Sequence, residues 1–360
     1  MASRTQVKYG SAGLFVGPTP STGAHTAIKQ LHRVQSVSDT FDLPLEDVNQ
    51  FGQTAALDKV VNSSPTPTME FTYYTTDGHN EVALGMPIDG TKSIASFFLD
   101  GTQDDKNYFS LFTKQGVDVV SRTPVATEDF VVGIGNGFVS SYSVSASVGG
   151  FMESSVSIEG SNYSIKDAAG SVVIPAINPT DGTALTETYT IPAGTTGEVG
   201  MPSVIKKGDI AIAGLPATLI GVDLSEANVQ SFSVSVDLPR EALERLGSDF
   251  VFARPLQTPI NATVSLDFAV TDIVEGSLSD LFTSCSATSF DFTITASPCV
   301  GSAKSETFKI VIKGAFFESE NTSTDIGSDR NGSVSFTVPI GAASDTTRGI
   351  FLDCSSTTTL

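Results

Sequence analysis

The chain has no tryptophan, only three cysteines and three histidines, and half as many bases as acids. Each shortage closes off a class of function. Without tryptophan, and with phenylalanines and tyrosines that follow core periodicity, there is no aromatic platform for stacking sugars or bases. Tyr73-Tyr74 and Tyr108-Phe109 are the nearest candidates for one. Cys285, Cys299 and Cys354 are too few for a disulfide framework and show no CxxC spacing. Cys285 and Cys299 are spaced either to face each other across a hairpin or to stand as two small buried thiols. His25, His32 and His79 fall in an N-terminal arm, at the start of a strand and in a turn. None stands at metal-ligand spacing from another donor, and there is no HExxH, so neither metal nor cofactor is expected.

Long apolar runs are missing too. Nothing approaches a membrane span, and Met1–Pro20 is polar and Gly/Pro-rich, without the apolar core of a signal peptide. The expectation is a soluble protein folded in a reducing cytoplasm, with no membrane partner. Twenty bases against forty acids leave a formal charge of −20. Such a chain repels phosphate backbones and anionic lipid. It has either an ordinary self-repelling surface or one that lies beside a polyanion without sticking. Composition alone favours the first.

Motifs for chemistry are equally scarce. No GxSxG provides a nucleophile elbow. Gly133-Ile134-Gly135-Asn136-Gly137 lacks the helix that a phosphate-binding loop needs, and a turn or bulge explains it better. Asp104-Asp105, in a loop beside Asn107, is a solvated site rather than an acid–base pair. Five N-x-S/T matches fit chance in a Ser/Thr-rich chain. No catalytic residue emerges, and an enzyme is not expected.

What the chain does have is a repeat. Sliding it by 195 positions lays Val34–Asp77 on Val229–Asp272 without a gap. Val34-Gln35-Ser36 meets Val229-Gln230-Ser231, and Asp42-Leu43-Pro44 meets Asp237-Leu238-Pro239. Glu46 meets Glu241 and Gly52 meets Gly247. Identities number 12 in 44 positions, where unrelated sequences give roughly three. Self-similarity of this kind reads as one folding unit written twice.

Each copy opens on a period-two strand, Val37, Phe41 and Leu43 in one and Phe232, Val234, Val236 and Leu238 in the other. Pro44 and Pro239 then stand where a helix begins, with acids behind them and Gly52 or Gly247 as its end. A short helix is therefore predicted in each copy. Returning strands follow at Met69–Tyr73 and Val264–Val270. Between the copies, Phe138–Val148 and Met152–Glu159 alternate apolar residues with serine, a long hairpin around Gly149-Gly150. Phe308–Phe317 and Ser333–Val338 make a comparable pair.

The class is mainly β: two duplicated barrel or sandwich units, each with a short helix and a long hairpin. Domain bounds follow: an N-terminal arm at 1–30, units at 31–165 and 205–345, a connector at 166–204 and a C-terminal arm at 346–360.

Three stretches carry a family resemblance. They are His32-Arg33-Val34-Gln35-Ser36 through Asp47–Gln53, then Val139–Phe151 with Ser157-Ile158-Glu159-Gly160-Ser161-Asn162, and Val229–Gly247. Together they resemble the tail tube proteins of tailed phages, related to the hemolysin-coregulated protein of type VI secretion. The resemblance implies subunits whose hairpins join into one inner barrel, in rings that stack around a channel for the genome. Six single-domain subunits make a typical ring, so a double unit implies three chains with pseudo-sixfold symmetry. It also implies self-association, a tape-measure protein, a tail terminator, baseplate or tip proteins and a sheath where one exists. The location implied is the virion tail, assembled in the host cytoplasm, with DNA passing non-specifically.

The lumen candidates are Ser141, Ser143, Ser145, Ser147, Ser155, Ser157 and Glu159; the arms and connector are candidates for ring-to-ring contacts. An ordinary solvated sheet face accounts equally well for any single serine strand. Two rival functions remain: another structural virion protein (decoration or baseplate) and a carbohydrate-binding adhesin sandwich.

Overall fold

A computed structural model of the chain describes residues 10, 12–18, 28–94, 96–99, 105–113, 117–118, 124–125, 128–167, 172–173, 175–178, 180–185, 188–194, 204–206, 209–215, 221–224, 228–270, 273–275, 289–297, 308–324 and 330–354. The chain starts with β1 (Ala12–Gly17), β2 (Lys29–Gln30), β3 (Val34–Thr40), β4 (Leu45–Val48), β5 (Asp58–Val61) and β6 (Thr68–Tyr74). Next come α1 (His79–Leu84), β7 (Asp89–Ser93), α2 (Ser96–Leu99) and β8 (Lys106–Thr113). It continues through β9 (Asp129–Ser147), β10 (Glu153–Glu159), β11 (Asn162–Asp167), β12 (Val172–Val173) and β13 (Thr188–Tyr189). The later part holds β14 (Ile210–Ala213), β15 (Gly221–Val222), β16 (Asn228–Asp237), β17 (Asn261–Ala269) and β18 (Ile273–Val274). It ends with β19 (Ser289–Ala296), β20 (Phe308–Ser323), β21 (Asn331–Pro339) and β22 (Gly349–Cys354). The protein is mainly β, as the alternation predicts.

Period-two patterning sets which face is dry. Along β9, Val139, Tyr142, Val144 and Ala146 are buried while Ser143, Ser145 and Ser147 are not. One antiparallel sheet follows the order β14-β19-β20-β21-β17-β16-β9-β10-β6-β3. Its apolar face belongs to a single core that includes Met69, Tyr142, Val234, Leu266, Ile310 and Leu352. Tyr142, Val144, Val234 and Val236 share one small interior gap with Ile310, Ile350 and Leu352. The central strands therefore pack face to face on the β20–β22 section, and the core is continuous between the two halves of the chain.

The pairing registers repeat. β3 meets β6 as Val34↔Tyr73, Ser36↔Thr72 and Val37↔Phe71. Adding 195 to each number yields the β16–β17 register, Val229↔Phe268, Ser231↔Asp267 and Phe232↔Leu266, with the bulge at the same place. The β9–β10 hairpin returns as β20–β21 at an offset of 178: Val139↔Ile158 and Ser141↔Ser157 become Phe317↔Phe336 and Ser319↔Ser335, again across a bulge. Likewise β11 on β9 (Asn162↔Gly135) matches β22 on β20 (Gly349↔Lys313). β8 on β9 (Tyr108↔Ile134) matches β19 on β20 (Phe292↔Ile312).

Four expectations are corrected. The segments after Pro44 and Pro239 are hairpins, not helices: Leu45↔Val61 and Val48↔Asp58 pair in β4–β5, and Arg240↔Leu256 and Leu243↔Ala253 pair 195 residues later. A helix of two turns satisfies few of its own backbone groups, whereas a hairpin pairs the two arms of the segment with each other, β4 with β5 as a separate two-stranded sheet. Gly52 and Gly247, at φ 91° and 86°, turn these hairpins rather than end helices. The two helices among the described residues are α1 and α2. The N-terminal arm at 1–30 is not wholly an arm, because Ala12–Gly17 pairs with β8 and buries Leu14, Phe15 and Val16. The C-terminal arm likewise includes β22, whose Ile350, Phe351 and Leu352 are core.

The glycine pattern at 133–137 is strand interior. A Cβ on Gly135 would lie 2.0 Å from the Pro175 carbonyl oxygen, so glycine is what lets that backbone approach. A register shift between β8 and β9 falls beside it, as the bulge reading expects.

Candidate functional site

The serines of β9 and β10 belong to a wider surface. Directly opposed residues of antiparallel strands project on the same face, so the registers assemble continuous rows. One row runs Ser36, Thr72, Ser155, Ser143, Ser235, Thr263, Thr337. The next runs Tyr74, Glu153, Ser145, Ser233, Ser265, Ser335, Ser319. Flanking them are Ser38, Glu70, Ser157, Ser141, Asp237 on one side and Ser147, Ser231, Asp267, Ser333, Asn321 on the other. The charged members are Glu70, Glu153, Asp237 and Asp267, and no row holds a base. Ser36 and Thr72 are hydrogen-bonded at 2.8 Å, and Ser231 donates to Asp267 at the matching place. Glu159 stands at the rim of this face, opposite Thr68 and Phe138.

All seven lumen candidates are thus brought together on one side of the sheet. Of the repeat positions, Asp237 joins the face, while Asp42, Pro44, Glu46 and Gly52, like Pro239, Glu241 and Gly247, belong to the two hairpins that leave it. Asn62 donates to Glu46 and Gln257 donates to Glu241, one contact in two places.

The hairpins differ in their surroundings. The one at 240–256 lies on the first half of the chain. Arg254 is 4 % exposed and donates to Glu159 at 3.2 Å, to the Thr66 hydroxyl and to the Gly160 carbonyl. Burial lowers its pKa and the Glu159 carboxylate opposes that shift, so the guanidinium stays charged. Arg240 stands 4.7 Å over the Phe138 ring, and the Leu238 amide donates to the Ser140 carbonyl. The β4–β5 hairpin has no such bed among the described residues. Its Lys59, equivalent to Arg254, pairs with Asp47 on the surface.

Exposure of equivalent positions diverges accordingly. Val37, Phe41 and Leu43 are 37, 51 and 53 % exposed, against 4, 2 and 1 % for Phe232, Val236 and Leu238. Leu45, Val48, Phe51, Leu57, Val60 and Val61 continue the exposed apolar run. β3 pairs with β6 alone among the described residues, and the Ser319–Ser323 part of β20 pairs with β21 alone. Among the described residues the hydroxyl face therefore ends on two open edges, β3 and the Ser319–Ser323 part of β20. This clustering was not legible from patterning, since period two gives the same answer for a covered strand and a bare one.

Buried polar groups elsewhere serve the fold. Glu81, at the start of α1, accepts from the Tyr73 hydroxyl at 2.8 Å and the Tyr142 hydroxyl at 3.1 Å. Burial raises the carboxyl's pKa, and burial together with the carboxylate raises both phenols. His32 and His79 stack at 4.0 Å, and Asn80 holds the His32 backbone at both N–H and carbonyl. Burial, then His79, lower the His32 pKa to about 4. Neither group was singled out by spacing. His25, Cys285, Cys299 and Asp104 lie outside the described residues, whereas Asp105 accepts from Asn136.

Tyr73, Tyr108 and Phe109 are fully buried and cannot stack on a sugar. A cavity of about 400 Å³ beside Phe232 and Ile210 is lined without an ionisable side chain. Among the described residues, no three His, Cys, Asp or Glu are grouped to hold a metal, and no helix is long and apolar enough to cross a membrane. No protein-family model matches the chain, and no curated protein matches it.

Proposed function

We propose that the chain is a structural subunit of a tailed-phage tail tube, in which three copies close a ring and rings stack into a channel for the genome. The observation that carries this reading is the face of hydroxyls and carboxylates that spans eight strands (β20-β21-β17-β16-β9-β10-β6-β3) and, among the described residues, holds no base in its rows and ends on two open edges. Three chains of eight strands make 24. At a spacing of about 4.8 Å these enclose a circle roughly 37 Å across before tilt widens it.

The face suits the cargo. Duplex DNA presents about one charge per 1.7 Å of axis, and a basic wall would hold it by releasing counterions. A wall of small hydroxyls with scattered acids offers no such gain, so the polymer slides. In this reading the chain performs no reaction and needs no cofactor. Its partners are copies of itself, a tape-measure protein, a terminator and baseplate or tip proteins, and its place is the virion tail.

Electron microscopy of the purified full chain tests the proposal. Rings or tubes with a central hole are expected, with a ring mass of three chains. A population of isolated monomers at every concentration, or solid particles without a bore, would overturn it.

A further inference from the structure

The junction inside the chain is a template for the junction between chains. β16 joins the two halves by pairing with β9: Phe232↔Ala146, Ser233↔Ser145, Val234↔Val144, Ser235↔Ser143 and Val236↔Tyr142. The equivalent of β16 is β3, an open edge. The equivalent of the β9 segment is the end of β20, the other open edge. Resting on the tube reading, we infer that β3 of one copy pairs antiparallel with β20 of a second copy in the transferred register. Subtracting 195 on one side and adding 178 on the other makes this Val37↔Thr324, Ser38↔Ser323, Asp39↔Thr322, Thr40↔Asn321 and Phe41↔Glu320.

Three observations commit the edge to a copy of this chain. First, both edges carry backbone matched to a pairing the same fold already makes, down to the bulges on either side. Second, the apolar side chains bare on β3 are those the internal junction covers. Third, the β4–β5 hairpin is the counterpart of one already seated. The 240–256 hairpin lies on the Val139–Ser140 bulge through Arg240 and Leu238. Its twin, carried along with β3, falls on the partner's Phe317–Glu318 bulge, where the Leu43 amide meets the Glu318 carbonyl. Lys59 then occupies the Arg254 position. Glu159 has Thr337 as its equivalent, and Thr337 donates to the Glu318 carboxylate at 2.6 Å. A carboxylate is therefore present for Lys59, shifted from the strand to the bulge.

The two junctions are not chemically identical. Val234 and Tyr142 of the internal one are Asp39 and Glu320 at the open edges. Inward-pointing acids of this kind keep a bare edge from pairing indiscriminately; Asp39 accepts from the Tyr163 hydroxyl of its own chain at 2.6 Å and faces Thr322 in the transferred register.

Paired cysteines read the register directly. Opposed residues of an antiparallel pair have Cα atoms about 4.5–5.5 Å apart, within disulfide range. In the full chain, Ser38→Cys with Ser323→Cys, mildly oxidised, is expected to give a denaturant-resistant ladder ending at three chains. Ser38→Cys with Asn321→Cys, one row out, is expected to cross-link at least tenfold less. Each single variant should give no ladder, which also excludes the native thiols. Equal cross-linking in both pairs, or none in either, within assemblies that still show a bore would overturn the register and leave the tube reading standing. Absence of both ladder and bore would overturn both. A ladder running past three without closure would uphold the junction and overturn the closed ring.

Discussion

β3 and β16 have the same grammar and the same pairing to their following strand, yet one is bare and the other lies in the middle of the sheet. The difference is where the chain goes next. β9 reaches β16 from within the molecule, whereas nothing among the described residues reaches the far side of β3. Covered, the strand tolerates Phe232, Val234 and Val236 against the core. Bare, it carries Val37, Asp39 and Phe41 in their place. An exposed edge is kept from indiscriminate pairing by charge, and Asp39 stands where the covered strand has Val234.

The sharpest way to break the comparison is to exchange residues between the copies. Val234→Asp imports the edge chemistry into the covered strand, where the carboxylate has no ion partner. It is expected to destabilise the chain by about 3–5 kcal/mol in denaturant unfolding. Asp39→Val, the reverse exchange, gives up the hydrogen bond from Tyr163 and is expected to change subunit stability by no more than about 1 kcal/mol.

The hairpins provide the next contrast. Arg254→Met leaves Glu159 and the Gly160 carbonyl without their donor and is expected to cost about 2–4 kcal/mol. Lys59→Met, at the twin position, breaks only an exposed pair and is expected to stay within about 0.5 kcal/mol in the free subunit. Equal losses at both positions, measured by urea melts, would show that the two hairpins are seated alike.

Removing the apolar edge sharpens the difference without touching the fold. On the proposed ring, Phe41→Ser with Leu43→Ser is expected to shift the unfolding midpoint of the free subunit little, through the Phe41–Tyr163 contact alone, while weakening assembly at least tenfold by light scattering.

A last contrast is in pH. His32 anchors the start of β3 to α1, and its pKa is held near 4 when folded against 6.5 when unfolded. The unfolded chain therefore binds more protons in this window, so stability present above pH 6.5 is lost as pH falls toward 4. Glu81 acts with the opposite sign, because its raised folded pKa favours the fold on acidification. His32→Gln is expected to flatten the acid-side loss in pH-dependent melts, and Glu81→Gln to steepen it.

Much of this was legible in the residues. The serine alternation of β9, β10 and β16 marks one face of each strand, and the shift of 195 that aligns the sequence also relates the β3–β6 register to that of β16–β17. The Pro44 and Pro239 segments misled because a proline, acids behind it and a closing glycine fit a short helix, while a glycine at positive φ serves equally well to turn a hairpin. β1 and β22 were hidden by glycine and by a Ser/Thr tail, since Leu14-Phe15-Val16 and Ile350-Phe351-Leu352 are too short to show a period. Their burial comes from distant partners.

Alternation of side chains along a strand is a covalent property, so the sequence alone determined which residues share a face and that this face carries acids and hydroxyls but no base. It also determined that the chain repeats itself. Which of two equivalent strands would be covered depended on the path of the chain between them, through contacts nearly a hundred residues apart, and only the tertiary structure decided that.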